Sequence, residues 1–498
     1  MRFRPLTCEF HPFLLRIWRQ NPMSISIKVV RAIRTSSFAL SLFVFPGIHA
    51  QSDLPVAPAR AARPLSSASP QSSTPYANPP AGAQSSSTPT APGVPTQDPA
   101  ENQRAQFEQR GLRVNVQYVA DALAAPTGVA PTPENWWGRI RVTIDADLGK
   151  FTPDKGLGAH ITSLWQYGTN IGGTDYVNSY ANPSSLASQH VFRAAEYSLS
   201  QYLFNDHLEF RGGKIATWNG YGVQEYGESF INEPMGYAFN TFINTYMTYD
   251  PGGTPAFEMR VLPDHHWYTK AVVFSQEKSP YIIDSTGFGF HFGPPAVAAE
   301  IGYLHDPPLP PASTGALGRE DFLTPSDTGS WPGVFKFGGS YNPGMFRNSL
   351  TGRSSPGNYI VWGQASQVLY REPDQGADGR RGLGATATID WSPDDVNQQN
   401  QQMDVGVRYI GAIRGAHFAN DMIDVGWVRT SNGSAYRESL LLRGQGDEIA
   451  ENLVELNYLA HLTSWFLFQP VAEFIVNPSA NRRRPNVTVY GFRIMASF

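Results

Sequence analysis

Strict alternation of apolar and polar residues constrains the fold of this chain more than any other feature of the sequence. Residues 139–148, RIRVTIDADL, place Ile, Val, Ile, Ala and Leu at every second position and Arg, Arg, Thr, Asp and Asp between them. Because successive side chains of a β-strand point to opposite faces, this segment predicts a strand with one apolar and one charged face.

The same period of two recurs along most of the chain. It is visible in segments 112–118, 209–211, 257–261, 385–391, 403–409, 454–460 and 490–498. We count about sixteen to eighteen candidate strands between Leu112 and Phe498, separated by turn-rich stretches such as 182–184 (NPS) and 250–253 (DPGG). Helical periodicity is scarce, and residues 236–249 form the one short candidate helix.

Two architectures produce such a pattern. A soluble β-sandwich or propeller turns its apolar faces inward, whereas a transmembrane barrel turns them toward lipid. The candidate strands approach the about 9–11 residues that a tilted strand needs to cross a bilayer. Many apolar faces end in Tyr, Trp or Phe, as in aromatic girdles. We therefore predict an all-β fold, a transmembrane antiparallel up-and-down β-barrel of about 16 strands, which is wide enough for an aqueous channel.

Composition excludes several other classes of protein. Charged residues make up 16% of the chain, the formal charge is −4, and the sequence contains 46 Gly and 40 Pro. These values exclude a coiled coil, a helical bundle and a wholly disordered chain. The net negative charge argues against a nucleic-acid partner.

Signals for an enzyme, a metal or a cofactor are weak. The sequence contains no His-Glu-x-x-His, Gly-x-Ser-x-Gly or Walker motif. Asp264-His265-His266 suggests a metal site, but the sequence offers no further ligand at a suitable spacing. A turn between two strands is therefore the preferred interpretation. We expect no catalytic residues, no metal and no cofactor.

The first hundred residues predict a signal peptide for export, followed by a disordered linker. Basic residues and the apolar run 36–50 (SSFALSLFVFPGIHA) are typical of a signal peptide over residues 1–50, with Met23 as an alternative start. Cleavage there removes Cys8, the one cysteine, and leaves a net charge of −10. Residues 51–104, rich in Pro, Ser and Ala, predict a disordered linker. Residues 105–498 form the predicted barrel domain, in the cell outer membrane.

Several segments resemble one family. The family is the carbohydrate-selective porins of the OprB type, and the resemblance covers roughly residues 105–498. The similar segments are 111–118 (GLRVNVQY) with Asp121, 381–383 (RGL), 409–411 (YIG), 451–458 (ENLVELNY), 463–470 (TSWFLFQP), 476–478 (VNP) and 490–493 (YGFR). The resemblance implies a 16-stranded barrel through which sugars diffuse, narrowed by an inward-folded loop and lined by charged and aromatic side chains.

Strand alternation directs a set of charged side chains into the lumen, since charges are costly on a lipid face. The predicted channel-lining residues are Arg113, Arg139, Arg141, Asp145, Glu209, Arg211, Glu258, Arg260, Arg408, Glu455 and Arg493. Two interpretations are open for these residues. They contact substrate directly, or they pair as Arg–carboxylate ladders that only make the lumen polar. The candidate inward loop is 218–249, which contains Tyr221, Glu225, Tyr226, Glu228 and Phe230, and the alternative for this stretch is an extracellular loop.

These features predict a channel for passive, sugar-selective diffusion of mono- or small oligosaccharides into the periplasm. The alternatives are a general diffusion porin, and a secreted β-rich carbohydrate-binding protein or hydrolase. Expected partners are small sugars, outer-membrane lipid and the barrel-assembly machinery, which reads a C-terminal Phe such as Phe498. No nucleic acid is expected, and the sequence leaves a monomer and a homotrimer open.

Overall fold

Sixteen antiparallel strands each pair with the next in sequence, and the first pairs with the last, so that the sheet closes into a barrel. The strands are β1 (Leu112–Ala125), β2 (Thr132–Asp147), β3 (Leu157–Gly168), β4 (Val191–Leu203), β5 (Leu208–Ile215), β6 (Thr254–Val261), β7 (Trp267–Ser275), β8 (Pro295–His305), β9 (Gly333–Arg347), β10 (Ser354–Arg371), β11 (Gly382–Trp391), β12 (Gln399–Ile410), β13 (Met422–Asn432), β14 (Ala450–His461), β15 (Phe466–Val476) and β16 (Val487–Ser497). This architecture confirms the predicted all-β up-and-down barrel.

The computed structural model describes most of the chain from residue 106 onward. The described residues are 106–128, 132–169, 171, 177–186, 190–224, 226–248, 251–277, 284–306, 332–373, 380–413, 418–445, 449–463 and 465–497. The predicted leader 1–50, the predicted linker 51–104 and Phe498 lie outside these residues.

Helices in the described part of the chain are few and short. They include α1 (Asn240–Thr245), α2 (Ser434–Leu442) and a helical turn at 106–109, with 3-10 turns at Leu148–Lys150, Thr217–Asn219, Gly227–Ser229 and Pro478–Ala480. α1 falls within the predicted helix 236–249 but ends early, because Tyr246 adopts a left-handed conformation (φ 59°). No helix in the described part of the chain has the length and hydropathy needed to span a membrane.

The period of two sorts side chains between the lumen and the outer surface. On β12, Asp404 points inward and is 1% exposed, whereas the neighbouring Val405 points outward and is 49% exposed. On β14, Glu455 is buried in the lumen between the exposed Val454 and Leu456. The apolar faces thus form the outside of the barrel, as in a barrel surrounded by lipid and opposite to a soluble sandwich.

The two ends of the barrel differ. At the terminal end, where β1 begins and β16 finishes, several connections are short, such as 204–207 and 262–266, although the connection 306–332 is long. At the opposite end, which we call the loop end, the long connections 169–190, 216–253 and 276–294 join successive strands. Parts of these three connections fill the lumen or complete the wall of the barrel.

A buried ion pair ties the last strand to the first. Asp121 on β1 and Arg493 on β16 are register partners. The Arg493 Nε and Nη2 atoms donate to the two carboxylate oxygens of Asp121 at 2.6 and 2.8 Å. Both side chains are essentially inaccessible to solvent. A two-point contact of this kind fixes the strand register at the closure of the barrel.

Substitution of Arg493 by Met is expected to lower the free energy of unfolding by about 3–5 kcal/mol, because it leaves the carboxylate of Asp121 buried without its cation. Unfolding of the reconstituted barrel in urea measures the change. The folded fraction at each urea concentration is read from the gel mobility of unboiled samples. Arg429→Met, on the outer face of β13, is the control. An Arg493→Met barrel as stable as this control would contradict the assignment.

Candidate functional site

The predicted inward loop lies inside the barrel. Between β5 and β6 the chain turns into the lumen, and we call residues 217–248 the long inner segment. Its aromatic residues Tyr226, Phe230 and Tyr237 are each at most 2% exposed. This placement confirms the inward-folded loop over the alternative of an extracellular loop. Glu225 and Tyr249 lie outside the described residues, as do the side chains of Trp218 and Glu228.

Carboxylates of the late strands hold the long inner segment. Glu455 on β14 accepts hydrogen bonds from the backbone N–H groups of Ile231 and Asn232, both at 2.9 Å, and from the Asn232 side chain at 2.6 Å. Asp390 on β11 accepts from the side chain and backbone N–H of Asn240 at 2.8 and 3.2 Å. Charge-assisted bonds to backbone donors give the segment one position against the wall.

A third carboxylate holds the start of the segment. Glu300 on β8 accepts from the backbone N–H of Gly222 at 2.9 Å. The same carboxylate accepts from the Tyr268 hydroxyl at 2.8 Å and the Trp362 indole N–H at 3.0 Å. Lys270 lies 3.2 Å from it and supplies the counter-charge. Glu300 is therefore part of a network that joins β7, β8 and β10 to the segment.

Glycine residues on the strands make room for the packing of the long inner segment against the wall. Gly406 on β12 and Gly426 on β13 both face the ring of Phe230. A Cβ on Gly426 would come within 2.6 Å of that ring, and one on Gly406 within 2.9 Å. Since real Cβ atoms do not approach so closely, the long inner segment requires glycine, or a shift of Phe230, at these positions.

A second segment also enters the lumen, and the sequence did not predict it. Residues 177–186 of the β3–β4 connection form the short inner segment. Glu451 on β14 accepts from the backbone N–H groups of Tyr180 and Ala181 at 2.9 and 2.7 Å, and from the Ser179 hydroxyl at 2.7 Å. Ser184 donates to Asp121 at 2.6 Å.

The two inner segments touch each other. The backbone N–H of Ser185 donates to the carbonyl of Ile231 at 2.8 Å, and that of Glu233 donates to the carbonyl of Asn182 at 2.9 Å. Because the two segments contact strands from β7 to β16, together they fill the side of the lumen formed by β7–β16.

Burial locates the remaining space. The inward side chains of the late strands are almost inaccessible: Asp404, Asp424, Glu455 and Gln469 are each at most 1% exposed. On the early strands, the inward side chains Arg113, His160 and Asp145 are 19%, 22% and 32% exposed. The open part of the lumen therefore lies along the halves of β1–β5 nearer the terminal end, because inward residues toward the loop end, such as Asp121, Arg139 and Arg193, are at most 2% exposed.

This part of the wall carries a group of polar side chains, most of them partly exposed. We define the polar row as Arg113, Arg141, Asp145, His160, Ser198 and Arg211. His160 Nδ1 lies 2.6 Å from Asp145 Oδ1, and its Nε2 lies 3.0 Å from the hydroxyl of Thr162. Arg211 Nε donates to Ser198 Oγ at 2.9 Å. The row thus offers guanidinium donors and a carboxylate acceptor in positions fixed by their neighbours.

The predicted lining residues divide into two groups. Four are partly exposed in the lumen: Arg113, Arg141, Asp145 and Arg211. Seven are buried against protein: Arg139, Glu209, Glu258, Arg260, Arg408, Glu455 and Arg493. Of these, Glu209 pairs with Arg260, and the Arg408 guanidinium lies 3.6 Å from the centre of the Tyr226 ring. Contact with a substrate stays a prediction for every residue of both groups.

Alternation alone could have identified His160 and Ser198, because both occupy inward positions of strands, beside Ile161 and Leu199 on the outward face. Their place in the polar row required the strand register. In contrast, Ser179 and Tyr180 lie in a turn-rich stretch without any periodic signal.

Asp264 forms a turn. Its Oδ1 atom accepts from the backbone N–H groups of His266 and Trp267 at 2.7 and 2.9 Å. The hydrogen bond from His266, followed by that from Trp267, holds the pKa of the Asp264 carboxyl below its usual value. Within the described residues, no group of three or more His, Cys, Asp or Glu side chains is placed to hold a metal ion.

A family model described as carbohydrate-selective porin, OprB family, matches residues 137–498. The high-pH structure of Pseudomonas putida OprB superimposes with a TM-score of 0.69 at 16% identity, over 80% of this chain and 97% of that chain. Its low-pH structure gives 0.48 at 14% identity, over 80% and 96%. OmpT of Vibrio cholerae without loop L8 gives 0.42 at 10% identity, over 78% and 99%. No curated protein has a matching sequence.

The match begins inside β2, so the family-like residues 111–118 lie outside it. At 16% identity, the likeness to the first structure concerns the fold alone.

Proposed function

The chain belongs to the OprB family of carbohydrate-selective porins, and on this premise we propose that it is an outer-membrane channel through which mono- or small oligosaccharides diffuse passively and selectively into the periplasm. The observation that carries the proposal is the division of the lumen. Two anchored segments fill the late-strand side, and the polar row lines the other. Membership in a porin family agrees with a channel rather than an enzyme.

The chemistry of the polar row suits sugars. Adjacent hydroxyl groups of a sugar present both donors and acceptors. The guanidinium groups of Arg141 and Arg211 would donate to hydroxyl oxygens, and Asp145 would accept from hydroxyl protons. Because a channel must release what it binds, several weak contacts along the wall serve flux better than one tight site.

We place the terminal end of the barrel in the periplasm, since most porin-type barrels have short periplasmic turns and longer outer loops. Under this orientation the predicted linker 51–104 would extend into the periplasm. The leader 1–50 and the recognition of Phe498 by the assembly machinery stay predictions.

Swelling of proteoliposomes in solutions of graded size tests this function. We expect monosaccharides to enter faster than amides of similar size, because amides lack the adjacent hydroxyl groups that make paired contacts with the polar row. The rate should fall steeply from mono- to trisaccharides. Entry rates that depend on solute size alone would instead assign a general diffusion porin. Heated protein, which forms no barrel, is the control.

A further inference from the structure

The wall of the barrel has a notch where the long inner segment leaves it. β5 and β6 have eight residues each, whereas the neighbouring β4 has thirteen. At the loop end of β5 the chain turns inward, and the N–H of Ala216 donates to Glu196 at 2.6 Å. On its return, the N–H of Gly253 donates to the carbonyl of Ala195 at 3.1 Å. Beyond these points, no backbone of β5 or β6 lies beside the first residues of β4.

Residues 284–293 of the β7–β8 connection occupy this notch. The backbone N–H of Ala194 on β4 donates to the carbonyl of Thr286 at 3.0 Å. Gly287 has φ +83°, and a Cβ at this position would come within 1.8 Å of the carbonyl oxygen of Ala194. The segment therefore takes up the strand edge that β5 leaves unpaired, at a distance that only glycine permits.

An ion pair on the outer side of the wall anchors the segment. Lys214 points outward, because Glu209 and Arg211 occupy the alternate, inward positions of β5. Its Nζ atom lies 2.9 Å from Asp284 Oδ2 and donates to the carbonyls of Gly287 and Gly289 at 2.8 and 2.9 Å. The two charged side chains are 3% and 9% exposed. The segment thus neutralises and covers a lysine that would otherwise face outward from the barrel.

The outer surface of the segment is apolar. Phe288, Phe290 and Phe292 are 63%, 47% and 80% exposed. No Asp, Glu, Lys or Arg occurs between Ser285 and Gly293, and the exposed His291 is the one titratable side chain there. The outward-facing Tyr197 of β4 donates its hydroxyl hydrogen to the carbonyl of Phe288 at 2.7 Å.

This aromatic surface is continuous with the outer face of the barrel. The rings of Tyr197 and Phe290 pack edge to face at 5.5 Å. Phe192 on β4 and Phe257 on β6 are also outward and exposed, at 77% and 56%. Exposure of three phenylalanine side chains at alternate positions costs free energy in water, whereas their contact with hydrocarbon is favourable.

We propose that residues 284–293 are a piece of the membrane-facing wall rather than a water-exposed loop. The segment seals the notch within the same chain, and Phe288, Phe290 and Phe292 contact the acyl chains of the surrounding lipid. Its continuity with the exposed aromatic residues of β4 and β6 favours lipid as the occupant of this surface. The barrel wall is then complete without a loop from a second copy.

Spin labelling tests the lipid contact. In a Cys8→Ser background, Phe290→Cys gives one labelling site on the segment in reconstituted liposomes. Phe257→Cys on β6 is the lipid-facing reference, and Glu438→Cys, on the exposed polar surface of α2 at the same end, is the water-facing reference. We expect the ratio of oxygen to nickel-chelate accessibility at position 290 to match that at 257 and to exceed that at 438 several-fold.

Two results would overturn the lipid contact. A ratio at position 290 equal to that at 438 would make the segment a water-exposed loop. Low accessibility to both reagents, with dipolar broadening between labels, would mean that a second copy of the chain covers the surface.

The anchor is tested separately. Asp284→Asn leaves the Lys214 ammonium beside lipid without its counter-charge, so we expect the ratio at position 290 to fall several-fold as the segment detaches. Lys214→Met combined with Asp284→Asn removes both charges and should recover part of the ratio. An unchanged ratio in Asp284→Asn would show that the ion pair does not hold the segment.

Discussion

Replacing residues 220–246 with a short Gly-Ser linker is expected to raise the single-channel conductance several-fold and to abolish discrimination between sugars. The long inner segment fills the late-strand side of the lumen, and a 16-stranded barrel without it has an open aqueous bore. The replacement is geometrically feasible, because the backbone N–H of Thr248 donates to the hydroxyl of Thr217 at 3.2 Å. Planar-bilayer recordings at fixed salt concentration measure the effect.

A milder variant guards against misfolding of the shortened barrel. Asn232→Ala with Asn240→Ala removes the side-chain bonds to Glu455 and Asp390 and leaves the wall unchanged. We expect a larger variance of the open-channel current in this variant, because the segment is held less firmly. Glu438→Gln, on the exposed surface of α2, is the control. If the shortened barrel folds and conducts like the native one, the segment does not limit the pore.

Arg141→Gln and Arg211→Gln are expected each to weaken the block of current by sugar about tenfold, because one charged hydrogen bond contributes about 1.5–3 kcal/mol and 1.4 kcal/mol corresponds to a factor of ten. The double variant should lose saturable block over the accessible range of sugar concentration. Loss of two positive charges should also shift the ion selectivity of the channel toward cations. The sugar concentration at half-maximal block and the reversal potential in a salt gradient measure these effects.

Arg429→Gln makes the same chemical change on the outer face of β13 and should leave both values unchanged. If both Arg141→Gln and Arg211→Gln retained the native half-maximal concentration, the polar row would not be the sugar contact. Loss of block in Arg429→Gln as well would point to a general effect on the barrel.

Much of the fold was accessible from the sequence because one physical rule repeats in every strand. Alternation predicted the all-β barrel, its approximate number of strands and the inward direction of residues such as Asp145 and Glu455. The resemblance to the family implied an inward loop, and aromatic and acidic composition and length singled out residues 218–249 as the candidate for it.

The division of roles within the lumen was not accessible in this way. Arg211 and Arg493 have the same alternating context, yet Arg211 is partly exposed in the open lumen and Arg493 is buried against Asp121. The difference depends on the short inner segment, whose contact between Ser179 and Glu451 joins residues 272 positions apart. Alternation tells which face a residue occupies, but not what packs against that face.

The packing of residues 284–293 against β4 and β5 could not be predicted from the sequence for a similar reason. Its partners Lys214 and Asp284 lie 70 positions apart, and each taken alone appears as an ordinary charged residue near the end of a strand. Only the register of β4 and β5 shows that Lys214 faces outward and requires a cover.

The most direct test of the central claim is the single-channel conductance of the refolded protein in a planar bilayer, titrated with glucose and larger sugars. We predict stable open channels whose current is blocked saturably and reversibly by sugar. The block should occur at lower concentration than with solutes of the same size that lack adjacent hydroxyl groups. Open channels that are indifferent to sugar at every concentration would contradict selective transport through this lumen.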